Sequence, residues 1–207
     1  MASAAWRQCP VWVKDWFEAE LRWSMRFQTT RLQDVRIVEL EPATDDRGFF
    51  ARTFCEEEFA AAGLATRFVQ QSFSHNARAG TVRGMHFQRS PHEEVKLIRC
   101  VVGAIYDVLI DLRLTSPTYM QWEAYELTAG NGLQLYVPNG FAHGFQTLAP
   151  ATEVGYMMTT FYAPHAADGI RYDDPAFNII WPLAITDISP KDLSWSEYRP
   201  SQTWAPN

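Results

Sequence analysis

From Met25 onward, apolar and polar residues alternate with a period of two, the signature of half-buried strands. Runs rich in β-branched and aromatic residues cover 36–40, 49–54, 68–74, 81–88, 95–102, 104–112, 122–127, 133–137, 141–148 and 153–161. Gly80, Gly103, Asn131-Gly132 and Asn139-Gly140 separate them as turn formers. Only 56–62 reads as helix in this part, and the tail after Pro182 can add one more short helix. Roughly ten short strands without alternating helices predict an all-β sandwich or barrel, not a parallel α/β sheet. The chain carries no internal repeat and no low-complexity tract.

Residues 1–24 follow another pattern. Trp12 and Trp16, then Val13, Phe17 and Leu21, recur four residues apart, which predicts an amphipathic helix, and Pro10 suits its first turn. We therefore divide the chain into an extension, 1–24, possessing four of the eight tryptophans, and a domain, 25–207. Three readings of the extension stay open: a helix docked on the body or a partner subunit, a peripheral membrane anchor, or a segment not normally translated. Its three basic residues give the anchor little support.

Composition narrows the class. A hydrophobic share of 47% with 20% charged residues excludes intrinsic disorder. The net charge of -6 argues against nucleic acid as a partner. No apolar run is long enough to span a membrane, and charges at Lys14, Asp15, Glu18 and Glu20 interrupt any signal-peptide core. Cys9, Cys55 and Cys100 share no short spacing and read as reduced thiols of a cytoplasmic protein.

Polar residues then stand out in three apolar strands. In Thr81–Gln88, plain alternation puts His86 with Gly84 and Gln88, and Arg83 on the opposite face unless a bulge near Gly84 re-aims one. Lys96 shares a strand face with Ile98 and Cys100, a costly place for an ammonium unless it meets negative charge; with the opposite alternation it is a rim residue. His143 lies between Phe141 and Phe145 on one face. Each histidine alone also reads as a hydrogen-bonded core residue. Metal-binding barrels often use a His-x-His pair, but Gln88 follows His86 at that spacing. Nor do His92, Glu93 and His143 restore a ligand pattern, so we expect no metal.

The segments DDRGFF at 45–50, TVRGMHFQ at 81–88, KLIRC at 96–100, VPNGFAHGF at 137–145, GIRYDDP at 169–175 and SPKD at 189–192 together resemble one family. It is the dTDP-4-dehydrorhamnose 3,5-epimerases, with relatives acting on other nucleotide-linked 4-keto-6-deoxysugars. The resemblance implies a cupin-type jelly-roll barrel with a few short peripheral helices, a homodimer, and no metal or organic cofactor. It implies a nucleotide-diphosphate sugar as substrate, epimerised at C3, C5 or both through an enolate. By motif, His86 corresponds to the base, Asp192 to its carboxylate partner, Lys96 to the cation near the enolate and Tyr156 to the acid. Arg47, Arg52, Gln70, Gln71, Ser72, Arg83, His143 and Lys191 fall in substrate-binding regions, and Tyr162 corresponds to the aromatic stacked on thymine. Arg52 and Ala167 stand where rhamnose-pathway members often have glutamate, which leaves the particular sugar and nucleotide open. The competing readings are a single-carbon epimerase of another pathway, a metal-dependent cupin isomerase or dioxygenase, and a non-catalytic sugar-nucleotide-binding barrel.

The resemblance begins at Met25 and every named polar residue lies after it. Deletion of residues 1–24 should therefore leave epimerase turnover unchanged, measured on full-length and truncated proteins side by side. A large loss on truncation would place the extension in the working site.

Overall fold

A computed structural model describes residues 24–199. The helix expected at the start of the chain lies outside these residues. Two six-stranded antiparallel-rich sheets carry the fold. The first runs β1 (Met25–Thr29), β2 (Arg36–Leu40), β10 (Leu133–Val137), β7 (Lys96–Val102), β12 (Thr152–Met158), β5 (Gln70–Asn76). The second runs β13 (Ala167–Gly169), β6 (Thr81–Gln88), β11 (Phe141–Thr147), β8 (Ala104–Asp111), β9 (Trp122–Thr128), with β14 (Asp187–Ile188) parallel to β6. A separate hairpin pairs β3 (Ala43–Asp45) with β4 (Gly48–Phe50). Neighbours in each sheet are mostly not consecutive in sequence, as in a jelly roll, and the all-β expectation holds.

Inward-facing residues of the two sheets meet in one core. Ile98, Cys100, Leu135, Val137 and Val154 from the first sheet pack with Ile105, Leu109, Leu127, Phe141 and Phe145 from the second. The outer faces are also covered. Helix α1 (Glu56–Ala61) drops Phe59 among Met25, Val38, Leu97 and Tyr136 behind the first sheet. Three glutamates in its first turn suit the positive end of the helix. The C-terminal segment lays Ile170, Phe177 and Tyr198 over Met85, Val108 and Ile110 of the second. Burying an aromatic ring of this kind is worth about 1.5–3 kcal/mol. No helix among the described residues is long and apolar enough to cross a membrane.

None of the expected runs covers β1 or β3, and the other differences from the sequence reading are short elements. β13 and β14, with three and two residues, are too brief for periodicity to register. The run at 49–54 shrinks to Gly48–Phe50, because the chain leaves the hairpin for α1. The expected late helix is α2, Pro190–Leu193.

Candidate active site

A cavity of about 580 Å³ opens between the sheets, walled by β6 and β11 on one side and by β5, β7 and β12 on the other. It gathers His86, Lys96, Tyr156 and Asp192, together with Gln70, Arg83, His143, Tyr162 and Lys191. Arg47, Arg52, Gln71 and Ser72 are not among its lining residues. Arg47 is bound to Asp45 on the β3–β4 hairpin, and Arg52 is bound to Glu58 of α1 at 3.0 Å.

A bulge in β6 brings Arg83 and His86 to the same wall. Arg83 lies opposite Phe145 and His86 opposite His143, so β6 advances three residues while β11 advances two. The extra residue inverts the alternation that otherwise separates 83 from 86. Gly84 makes the bulge possible: its φ is +138°, and a Cβ there would stand 2.5 Å from the Cα of Gly144.

His86 Nε2 and Asp192 Oδ1 are 2.6 Å apart. Asp192 is buried, and burial by itself raises a carboxylate's pKa. The hydrogen bond and charge of His86, with support from the Gly84 amide and Ser189, outweigh that and hold it below the usual value. The SPKD segment builds this support locally. Ser189 caps α2 by accepting from the Asp192 amide at 3.0 Å, and Pro190 opens the helix.

The facing sheet supplies Tyr156 and Lys96. Burial pushes the Tyr156 phenol up, although its 2.9 Å hydrogen bond with Ser74 acts the other way, so it stays protonated at neutral pH. Ser74 begins a polar chain: the Asn76 amide nitrogen donates to it at 3.5 Å, and Arg83 Nε donates to Asn76 Oδ1 at 2.7 Å. Lys96, with only 12% of its side chain exposed, is paired with Glu94 at 3.2 Å. It thus occupies the inward of its two expected positions, with its charge met by a carboxylate.

A second histidine–carboxylate pair lies deeper. His143 Nε2 is 2.9 Å from Oδ2 of the fully buried Asp107, whose Oδ1 has no hydrogen-bond partner. The His143 ring stands 6.4 Å from that of Tyr156, near perpendicular. Sequence reading missed Asp107, Glu94, Ser74 and Asn76. For Asp107 a signal existed, since it shares an inward strand face with Ile105 and Leu109. At the mouth, the Tyr162 amide donates to Gln70 Oε1 at 2.6 Å, and the residue is 57% exposed. Among the described residues, no three His, Cys, Asp or Glu side chains gather closely enough to hold a metal ion.

A carboxylate-backed histidine facing a protonated tyrosine and a lysine across a barrel is an arrangement that fits an acid–base isomerase. Residues 29–199 match the dTDP-4-dehydrorhamnose 3,5-epimerase family. The chain is 43% identical over 177 residues to a dTDP-4-dehydrorhamnose 3,5-epimerase of Methanothermobacter thermautotrophicus, covering 84% of this chain and 95% of that one. The enzyme of that description from Sinorhizobium fredii is 42% identical over 171 residues, 82% of this chain and 88% of the relative. A crystal structure of dTDP-4-dehydrorhamnose 3,5-epimerase from Bacillus anthracis, with TDP and PPi bound, superposes with a TM-score of 0.82. It is 40% identical and covers 84% of this chain and 100% of that one. The chain belongs to the dTDP-4-dehydrorhamnose 3,5-epimerase family and is a sugar-nucleotide epimerase.

The bulge yields a direct test. Gly84→Ala should destabilise the fold by about 1–3 kcal/mol, because it combines an unfavourable backbone angle with a clash against Gly144. Urea denaturation of the variant measures the loss. Wild-type stability would show that β6 and β11 can separate without penalty.

Proposed function

We propose that the protein inverts C3, C5 or both of a dTDP-linked 4-keto-6-deoxyhexose. The observation that carries this reading is that His86 and Tyr156 face one cavity from opposite sheets. Epimerisation needs a base on one face of the sugar and an acid on the other. His86, whose Nε2–H is held by the Asp192 carboxylate, takes the proton next to the C4 ketone on its other ring nitrogen, Nδ1. The electron pair of the C–H bond moves into the carbonyl, and the ammonium of Lys96 meets the charge growing on oxygen. Tyr156 then returns a proton from the opposite face, and solvent resets both groups. Substrate and product are isomers, so no oxidant or reductant is consumed.

Binding falls to the rest of the set. Arg83 and Lys191 offer cations for the diphosphate, Tyr162 an exposed ring for the base, and Gln70 and His143 polar contacts to the sugar and diphosphate, whereas Gln71 and Ser72 lie outside the cavity lining. We place Arg52 with α1, away from the ligand, because Glu58 engages it. The free thiols of Cys55 and Cys100 suit a cytoplasmic location.

Heavy-water NMR with dTDP-4-keto-6-deoxyglucose tests the reading by showing which carbons exchange and invert. His86→Asn should lower exchange about 10²–10⁴-fold with dTDP binding kept. Tyr156→Phe should keep exchange but lose inversion. Wild-type rates in the first variant, or normal product from the second, would remove that residue from its role.

Arg47 reaches a cavity most simply in a homodimer. Its hairpin exposes Phe49 (72%) and Phe50 (55%), and the edge strand β5 exposes Phe73 (64%), apolar surfaces that a second copy can cover. Arg47→Ala mixed and refolded with His86→Asn should then recover about a quarter of wild-type activity, since half the dimers are mixed and each holds one intact site. No recovery, or a monomer by light scattering, would confine Arg47 to its own subunit.

A further inference from the structure

Trp195 does not line the cavity, yet it touches α2, which carries Asp192, and β13, which pairs with the strand that carries His86. On one side it lies on the bare backbone of Gly169, where a Cβ would fall 2.4 Å from Trp195 Cε2 and 2.5 Å from Nε1. Gly169 is the residue of β13 registered opposite His86. On the other side, Lys191 Nζ stands 5.4 Å from the centroid of the Trp195 ring, a cation–π distance. Lys191 immediately precedes Asp192 in α2.

Helix α2 has four residues, too few to be stable alone. Its position is therefore set by what it packs against. Leu193, its last residue, is 47% exposed and anchors little. The indole Nε1 is buried with no hydrogen-bond partner, so the ring is held by packing and the neighbouring ammonium, not by a polar bond of its own.

We infer that Trp195 is a positioning residue: a flat seat between β13 and α2 that fixes Asp192 against His86. The same geometry explains why position 169 lacks a side chain, since any Cβ would lift the indole and α2 with it. The functional consequence rests on the reading of His86 as the base.

The test uses full-length protein labelled with ¹⁵N-histidine, with the His86 Nε2 signal assigned by its loss in His86→Asn. In Trp195→Ala this signal should move to the position found in Asp192→Asn, whereas Trp195→Phe, which keeps a flat ring, should retain the wild-type shift. Deuterium exchange into the keto-sugar should fall about 10- to 100-fold in the alanine variant and recover in the phenylalanine one, as expected for a misplaced reacting group. Trp195→Leu serves if the alanine variant does not fold. A wild-type Nε2 signal in folded Trp195→Ala overturns the inference. A moved signal with unchanged exchange keeps the seat and overturns the assignment of His86 as base.

Discussion

The hydrogen bond between His86 and Asp192 joins residues 106 positions apart, and much of the structure is organised so that it can form. Asp192 is almost fully buried while His86 is half exposed, so it is the carboxylate that needs a fixed partner, and the imidazole supplies it. The carboxylate comes from α2, capped by Ser189 and backed by the Gly84 amide at 3.4 Å. Gly84 also creates the bulge that turns Arg83 toward the same cavity. One backbone irregularity thus aims an arginine and supports the carboxylate partner of His86.

The opposite wall is built by the same logic. Tyr156, Ser74, Asn76 and Arg83 form a hydrogen-bonded chain that crosses from the first sheet to the second. Arg83 on the wall of His86 and Tyr156 on the facing wall are thereby held in one network, and the gap between His86 and Tyr156 is set by sheet packing as well as by side-chain rotamers. Asp107 repeats the histidine–carboxylate arrangement beneath, where cross-strand pairing puts His143 beside His86. Two such pairs, one of them half exposed and one buried, concentrate polar groups in a wall whose neighbours are Phe145, Leu109 and Val108.

Legibility in the sequence followed the length of each feature. Strands of seven or eight residues, such as β6, β8 and β11, announce themselves by alternation, and with them the barrel. His86, Lys96 and His143 stand out on those strands as polar residues, with the direction of Lys96 open between inner face and rim, and Tyr156 comes from the family motif alone. Arg83 was placed only conditionally, because a bulge is a relation between two strands and leaves one glycine as its trace. Glu94 and Ser74 escaped because they matter through a neighbour's side chain. Nothing in local pattern pairs Glu94 with Lys96 until both are seen 12% exposed. Arg47 carries the motif and Arg52 departs from it, and each faces its own neighbour, Asp45 and Glu58.

Position 88 shows how a barrel of this type commits to one chemistry. A histidine there would complete a His-x-His pair with His86, the donor arrangement that suits imidazole-binding metals. Gln88 instead spends its amide on architecture. Its oxygen accepts from the Ala163 backbone at 2.6 Å, and its nitrogen donates to the His92 carbonyl at 3.0 Å and to Glu94 at 3.1 Å. It thereby latches the segment bearing Tyr162 to the strand bearing His86, and steadies the carboxylate that neutralises Lys96. Imidazole could not replace these contacts, since it lacks an amide's paired donor and acceptor geometry. A single side chain therefore links the segment of Tyr162, the Glu94–Lys96 pair and the strand of His86, and a histidine at that position would not keep all three connections.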